Sequence, residues 1–165
     1  VMHRYCSGAF NITYSNNTGR NDIVEARVAR DKKNVYFYVR TDSLLSPRSD
    51  KNWMVLFVDI DRDKTTGWEG YDFAINRKVS SDGYVSVEKG EGSDWNWKSA
   101  GRAKVAVYDK VIVISVPREL LGCKGKKLDF EFKWSDNMQE EGNPMGFYVN
   151  GDVAPSARFN YVYSE

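Results

Sequence analysis

Between Phe57 and Phe73 the chain reads FVDIDRDKTTGWEGYDF. Five acids, Asp59, Asp61, Asp63, Glu69 and Asp72, fall within fourteen residues, with Gly67-Trp68 among them. Like charges this close repel one another unless water, a lysine or a cation screens them. An oxygen-rich loop of this kind suits a hard cation, with calcium the natural candidate. Asp59 and Asp61 lie two apart and share a side for as long as the strand persists. Asp63 carries the series into a turn, and Glu69 and Asp72 can return on the partner strand. The loop is not an EF-hand, because Gly67 is misplaced and the closing glutamate is absent. The same residues also fit a solvated acidic turn neutralised in part by Arg62 and Lys64, and the sequence leaves both readings open.

The second chemistry is aromatic. A pyranose has an apolar C–H face that can stack on an indole, while its hydroxyls need polar partners nearby. Trp134-Ser135-Asp136-Asn137 offers that mixture at a strand end, and Asp94-Trp95-Asn96-Trp97-Lys98 offers it in a loop. Trp53 opens an apolar run and Trp68 sits in the acidic loop. Each tryptophan can instead fill the core, since aromatic side chains bury large areas. With five of them, most beside polar loop residues, at least one exposed platform is expected. Trp53 and Trp134 are the stacking candidates, with Asp136 and Asn137 bonding hydroxyls. Glycoside hydrolysis would need two carboxyls facing each other roughly 5–10 Å apart. The acids around Asp59 lie along one loop instead, leaving a pair such as Asp72 with Asp136 to consider. Binding without catalysis is the expectation.

Composition narrows the partners. Twenty-four basic residues against 23 acidic ones leave a net charge of +1, scattered along 165 residues. That balance gives no support for nucleic-acid or anionic-membrane binding, which needs a clustered basic face. No apolar run approaches the roughly 18 residues of a membrane span. The single histidine, His3, argues against histidine-based zinc sites and Ser-His-Asp triads. Cys6 and Cys123 allow one intrachain bridge or two inert thiols. Two glycosylation sequons begin at Asn11 and Asn16. The chain begins at Val1 without a signal peptide, as a processed chain or an excised piece would.

The elements that must position these groups are strands. Val24, Ala26 and Val28 alternate with polar residues, and Val35, Phe37 and Val39 oppose Tyr36 and Tyr38. Trp53 to Ile60 is almost unbroken apolar sequence, as a central strand covered on both sides requires. Tyr71 to Asn76, Tyr84 to Glu88, Ala103 to Tyr108, Val111 to Val116 and Leu128 to Trp134 follow, with a hairpin at Ser81-Asp82-Gly83. The last strands fall near Phe147 to Val149 and Phe159 to Tyr163. Pro117 to Leu121, closed by Gly122, is the one helical turn. Roughly ten strands and almost no helix predict one all-β domain over residues 1–165, an antiparallel, jelly-roll-like β-sandwich.

The order of these motifs resembles a known family. ARVARD at 26–31, NVYFYVRTD at 34–42, Trp53, MVLFVDID at 54–61 and YDFAIN at 71–76 are similar to family 9 carbohydrate-binding modules and the related DOMON-type sandwiches. LDFEFKWSDN at 128–137 looks like the late core strand of that pattern. GFYVNGDVAPSARFNYVY at 146–163 is similar to C-terminal domains of secreted bacterial polysaccharide-processing proteins. The resemblance implies a sandwich used outside the cytoplasm: secreted, periplasmic or on the cell surface. It implies bound calcium and sugar held against tryptophans at one edge, with Trp53 in a clamp position and Trp134 the nearest second member. The expected role is an accessory domain that binds a poly- or oligosaccharide beside a catalytic domain of the same or a partner polypeptide. The alternative is a structural domain that packs on such a partner and touches no sugar.

Overall fold

The computed structural model describes residues 6–7, 13–14, 19–79, 83–149, 151–156 and 158–165. His3 and both glycosylation asparagines lie outside them, as does the tip of the Ser81-Asp82-Gly83 hairpin up to Gly83. Cys6 lies in a strand whose side chains are not described, so its pairing with Cys123 falls outside them too. Cys123 itself is a buried thiol whose Sγ points at the Arg118 carbonyl, 3.4 Å away.

Short β1 (Cys6–Ser7) and β2 (Thr13–Tyr14) pair with each other. The body of the molecule is one antiparallel sheet. Its strands are β3 (Ile23–Arg30), β4 (Asn34–Thr41), β5 (Val55–Asp59), β6 (Phe73–Val79), β7 (Tyr84–Gly90), β8 (Trp97–Tyr108), β9 (Val111–Pro117), β10 (Asp129–Asp136), β11 (Asp152–Ala154) and β12 (Tyr161–Ser164). Their order across the sheet is β11-β10-β5-β6-β7-β8-β9-β4-β3, with β12 also on β10. The run from β5 to β9 is a meander of sequential hairpins, as short turns between antiparallel strands dictate.

The sheet folds over on itself into a sandwich. Phe37 on β4 meets Phe130 and Phe132 on β10 at 5.7 and 5.6 Å between ring centres, although the two strands lie far apart along the sheet. The two ends of the path also meet, where the Ile23 amide donates to the Asp152 carboxylate at 2.6 Å. Between the halves lies the main core, built from alternate residues: Val35, Phe37 and Val39; Leu56 and Val58; Ile112, Ile114 and Val116; Phe130, Phe132 and Trp134. This is the alternation expected of strands with one face inward.

β5 is buried on both faces, as its unbroken apolar run predicts. Its outward residues Val55 and Phe57 lie under a second, smaller core of Trp68, Tyr71, Met138, Phe147 and Val153, with Trp95 and Trp97 packed against it. The cover comes partly from α1 (Gly146–Val149), a single helical turn where the sequence predicts a strand. The Asn143-Pro144 pair starts it. The Met145 amide donates to Asn143 Oδ1 at 3.0 Å, and the carbonyl of Pro144, in the turn that leads into α1, accepts from the Phe147 amide at 3.1 Å. Conversely, the predicted helical turn after Pro117 closes as a chain of hydrogen-bonded turns, with Gly122 at φ 66°. Too few residues lie between β9 and the next loop for a helix to propagate.

β10 departs from simple alternation. Its outward Lys133 and Ser135 are as buried as its inward aromatics. Lys133 Nζ donates to the carbonyls of Pro155 and Phe159, at 2.7 and 2.6 Å, and lies 5.4 Å from the Phe147 ring centre. Burial depresses its pKa to about 7.

Candidate functional site

The acidic loop joins β5 to β6. Asp59 ends β5, Asp72 precedes β6, and Asp61 lies in the turn between, so that one carboxylate oxygen from each falls within 4.8 Å of the others. Asp59 is fully buried, Asp72 nearly so, and Asp61 is exposed. The loop holds itself by its own donors. The Arg62 amide donates to Asp59 Oδ1 at 2.6 Å and the Ile60 amide to Asp72 Oδ2 at 2.9 Å. Lys64 Nζ reaches Asp59 Oδ2 at 2.6 Å and also pairs with Glu131. Burial raises the carboxyl pKa values of both Asp59 and Asp72 above the ordinary range.

The loop brings together three of the five predicted acids. Asp63 is exposed and turns to Thr65, whose hydroxyl and amide hold it below the ordinary carboxylate range. Glu69 is exposed at φ 52° and stands outside the group. Gly67 is what lets the loop close. A Cβ there would sit 2.1 Å from the Tyr71 carbonyl oxygen, and its φ of 62° is one that L side chains rarely adopt. The Trp68–Tyr71 bridge seals the loop with amide–carbonyl bonds of 3.2 and 2.9 Å.

The expected sugar-binding residues are elsewhere and differently employed. Trp53 is 1 % exposed and Trp134 is fully buried, both in the main core. An indole with no open face cannot stack on a pyranose, so the platform role assigned to these two does not fit. The inward-facing period of β10 carries Trp134 into the core. The Trp53 indole instead donates to the Ser46 carbonyl at 3.0 Å. Asp136 is buried too. It accepts from Asn21 Nδ2 at 3.1 Å, from the Met54 amide at 3.0 Å and from Arg20 Nη2 at 3.0 Å, and pairs with Arg20 Nε at 2.8 Å. A carboxylate with that many internal donors ties three segments together and has no room for a sugar hydroxyl. It cannot serve as a catalytic partner for Asp72 either. Asn137, half-buried at φ 59°, accepts from Arg20 Nη1 and from Gln139.

Two tryptophans do reach the surface. Trp95 and Trp97 are half-buried, edge to face at 5.4 Å, and Trp95 meets Trp68 at 4.4 Å. Beside Trp95 lies a pit of about 10 Å³ bordered by Asn52, Arg77, Ser135 and Glu141. The Trp95 Nε1 and Ser135 Oγ atoms are buried there without a partner among the described residues. A pit of that size has room for about one water and none for a sugar ring.

Another recess, more roomy, lies on the outward face of β4, β9, β8 and β7. It is an open groove of about 330 Å³, at the small end of the roughly 300–1,000 Å³ of small-molecule sites. Strand register builds it. Tyr36 pairs with Ser115, Ser115 with Lys104, and Lys104 with Tyr84, so the four stand in one row across four strands. At the usual strand spacing that row runs roughly 14 Å. Tyrosines form its two ends, and Ser115, Val113 and Ala106 form a low floor between them. Tyr36 is aimed by its hydroxyl, which donates to Asp31 Oδ2 at 2.7 Å. Tyr84 carries Arg102 over its ring at 4.9 Å, and Arg48 donates to its carbonyl at 3.3 Å. The outward alternation of Tyr36 is legible in the sequence. Its alignment with Tyr84 is not, because that depends on two intervening strands.

Comparison with known protein families, with curated proteins and with solved structures finds no match to this chain.

Proposed function

We propose that this domain is a non-catalytic carbohydrate-binding module, stabilised by calcium and serving as an accessory to a secreted glycan-processing protein. The observation that carries the reading is the groove between Tyr36 and Tyr84. It has aromatic faces for a sugar ring, a hydroxyl and an ammonium for its polar edge, and no carboxylate among the described residues of its lining. Asp59, Asp61 and Asp72 support the calcium part, since each offers an oxygen to one small volume and Asp61 leaves it open to solvent. A glycan array probed with the full chain, with and without chelator, tests the sugar reading. Binding that is lost in a Tyr36→Ala/Tyr84→Ala variant of unchanged melting temperature supports it, and absence of binding under both conditions refutes it.

A second reading has its own observation. Phe159 and Val162, at the edge formed by β12, are 62 % and 56 % exposed. An apolar edge of this kind suits packing against a neighbouring domain. That reading prevails if the array is blank and Phe159→Ser/Val162→Ser weakens association with a catalytic partner.

A further inference from the structure

We propose that the pit beside Trp95 is a binding site for one ordered water molecule, which ties the β7–β8 connection to β10. Two observations converge on it. Ser135 stands on the outward face of β10, opposite Val55 of β5, and is 1 % exposed. Its side chain borders the pit, and its Oγ has no hydrogen-bond partner among the described residues. Trp95 borders the same pit from the segment between β7 and β8, and its indole Nε1 is buried without a partner among them as well. The two atoms do not bond each other. The Trp53 and Trp68 indoles, by contrast, donate to the Ser46 and Gly142 carbonyls at 3.0 and 3.3 Å. The Trp97 and Trp134 nitrogens also lack a partner among the described residues, but neither residue borders this pit. What sets Trp95 apart is a second unpartnered polar atom on the same recess.

The chemistry of the lining selects the occupant. An indole N–H only donates, so the guest must accept, which a metal cation cannot do. The Arg77 guanidinium borders the pit, but Glu88 holds it at 2.9 and 3.1 Å and Glu141 lies 3.7 Å away, so its charge does not call for an anion. A volume of about 10 Å³ matches one water and excludes anything much larger. That water can accept from Trp95 Nε1 and donate to Ser135 Oγ. Asn52, whose Nδ2 is engaged by the Met138 carbonyl, has its Oδ1 to offer as a third partner. Buried waters with two to four such bonds are part of a fold. Trp95 packs on Trp68 at 4.4 Å and on Phe57 at 6.0 Å, so a water that fixes its indole also fixes the cover of the second core.

The sign of one substitution in the full chain tests this. With a water in the pit, Ser135→Ala removes one of its partners and should lower the melting temperature by about 3 °C or more. In a dry pit the same change relieves an unpaired buried hydroxyl, and the melting temperature should hold or rise. A second measurement reads the water directly. Rotating-frame magnetisation transfer from water to the Trp95 Nε1–H, of dipolar rather than exchange sign, is expected in the parent chain and should weaken or vanish in Ser135→Ala. Loss of the signal in Trp95→Phe assigns it. Absence of that transfer in the parent chain, or a melting temperature unchanged or raised in Ser135→Ala, overturns the proposal. So does stabilisation by chloride at fixed ionic strength that Ser135→Ala abolishes, since the occupant would then be an anion.

Discussion

Two carboxylate clusters sit at strand ends in this molecule, and they are solved in opposite ways. Around Asp136 the protein supplies its own cation and donors: Arg20 is salt-bridged to it, and Asn21 and the Met54 amide donate to its Oδ1. Around Asp59, Asp61 and Asp72 it supplies backbone amides, the Thr66 hydroxyl and a single half-exposed ammonium, Lys64, that is shared with Glu131. The first cluster is closed and structural. The second carries three acids against one shared base and opens to solvent at Asp61. An acid near a tryptophan is therefore no guide to function. What matters is whether the fold has already neutralised it.

The largest effect should come from breaking the closed cluster. Arg20→Ala leaves the Asp136 carboxylate buried with its cation gone, which should cost about 3–5 kcal/mol in urea unfolding. A loss below about 1 kcal/mol would mean that the two clusters are not different in kind. Calcium comes next. At a hundred times its Kd it should add about 2.7 kcal/mol, or roughly 5–10 °C in melting temperature. Asp61→Asn should abolish that gain and Arg20→Ala should not.

The pH dependence sharpens the contrast. Asp59 and Asp72 have raised carboxyl pKa values in the cation-free fold, chiefly through burial. Folded protein therefore holds protons there that the unfolded chain releases. Their contribution to stability is full below the ordinary carboxylate pKa and is lost as pH rises through the raised values. Calcium binds the ionised form, so the stability gap between calcium and chelator should widen from acid toward neutral pH. A flat gap in calorimetric scans would count against these two as ligands.

Lys64→Ala should be milder, within about 1 kcal/mol for so exposed a side chain. It should also tighten calcium binding, because the ammonium competes for Asp59 Oδ2. Smallest of all, Asp63→Asn and Glu69→Gln should stay within about 0.5 kcal/mol and leave the calcium response intact.

Much of the architecture was legible in the residues. The Val35-Phe37-Val39 alternation and the unbroken run at Trp53 to Ile60 carry the inward face and the doubly covered central strand, because side-chain period is a local property. The pool of five acids that contains Asp59, Asp61 and Asp72 was legible for the same reason, being one hairpin connection, but which three of them meet was not. Where partners came from distant chain, local pattern failed. Trp53 and Trp134 look like surface platforms beside polar residues, yet those polar residues, Asp136 among them, turn inward to Arg20 and Asn21 from the other end of the sequence. The polar context that suggested a sugar site is the internal wiring of the core edge. The Tyr36–Tyr84 groove was hidden for the converse reason, since it exists only once four strands are in register.

Lys133 offers one more use of this fold. Its side chain is sealed beneath Pro155 and Phe159, and burial holds its pKa near 7 for as long as that cover stays closed. An amine-reactive reagent can reach it only when that cover lifts. Its labelling rate, set against the exposed lysines, is therefore a built-in stopwatch for opening of the C-terminal segment, with no probe introduced.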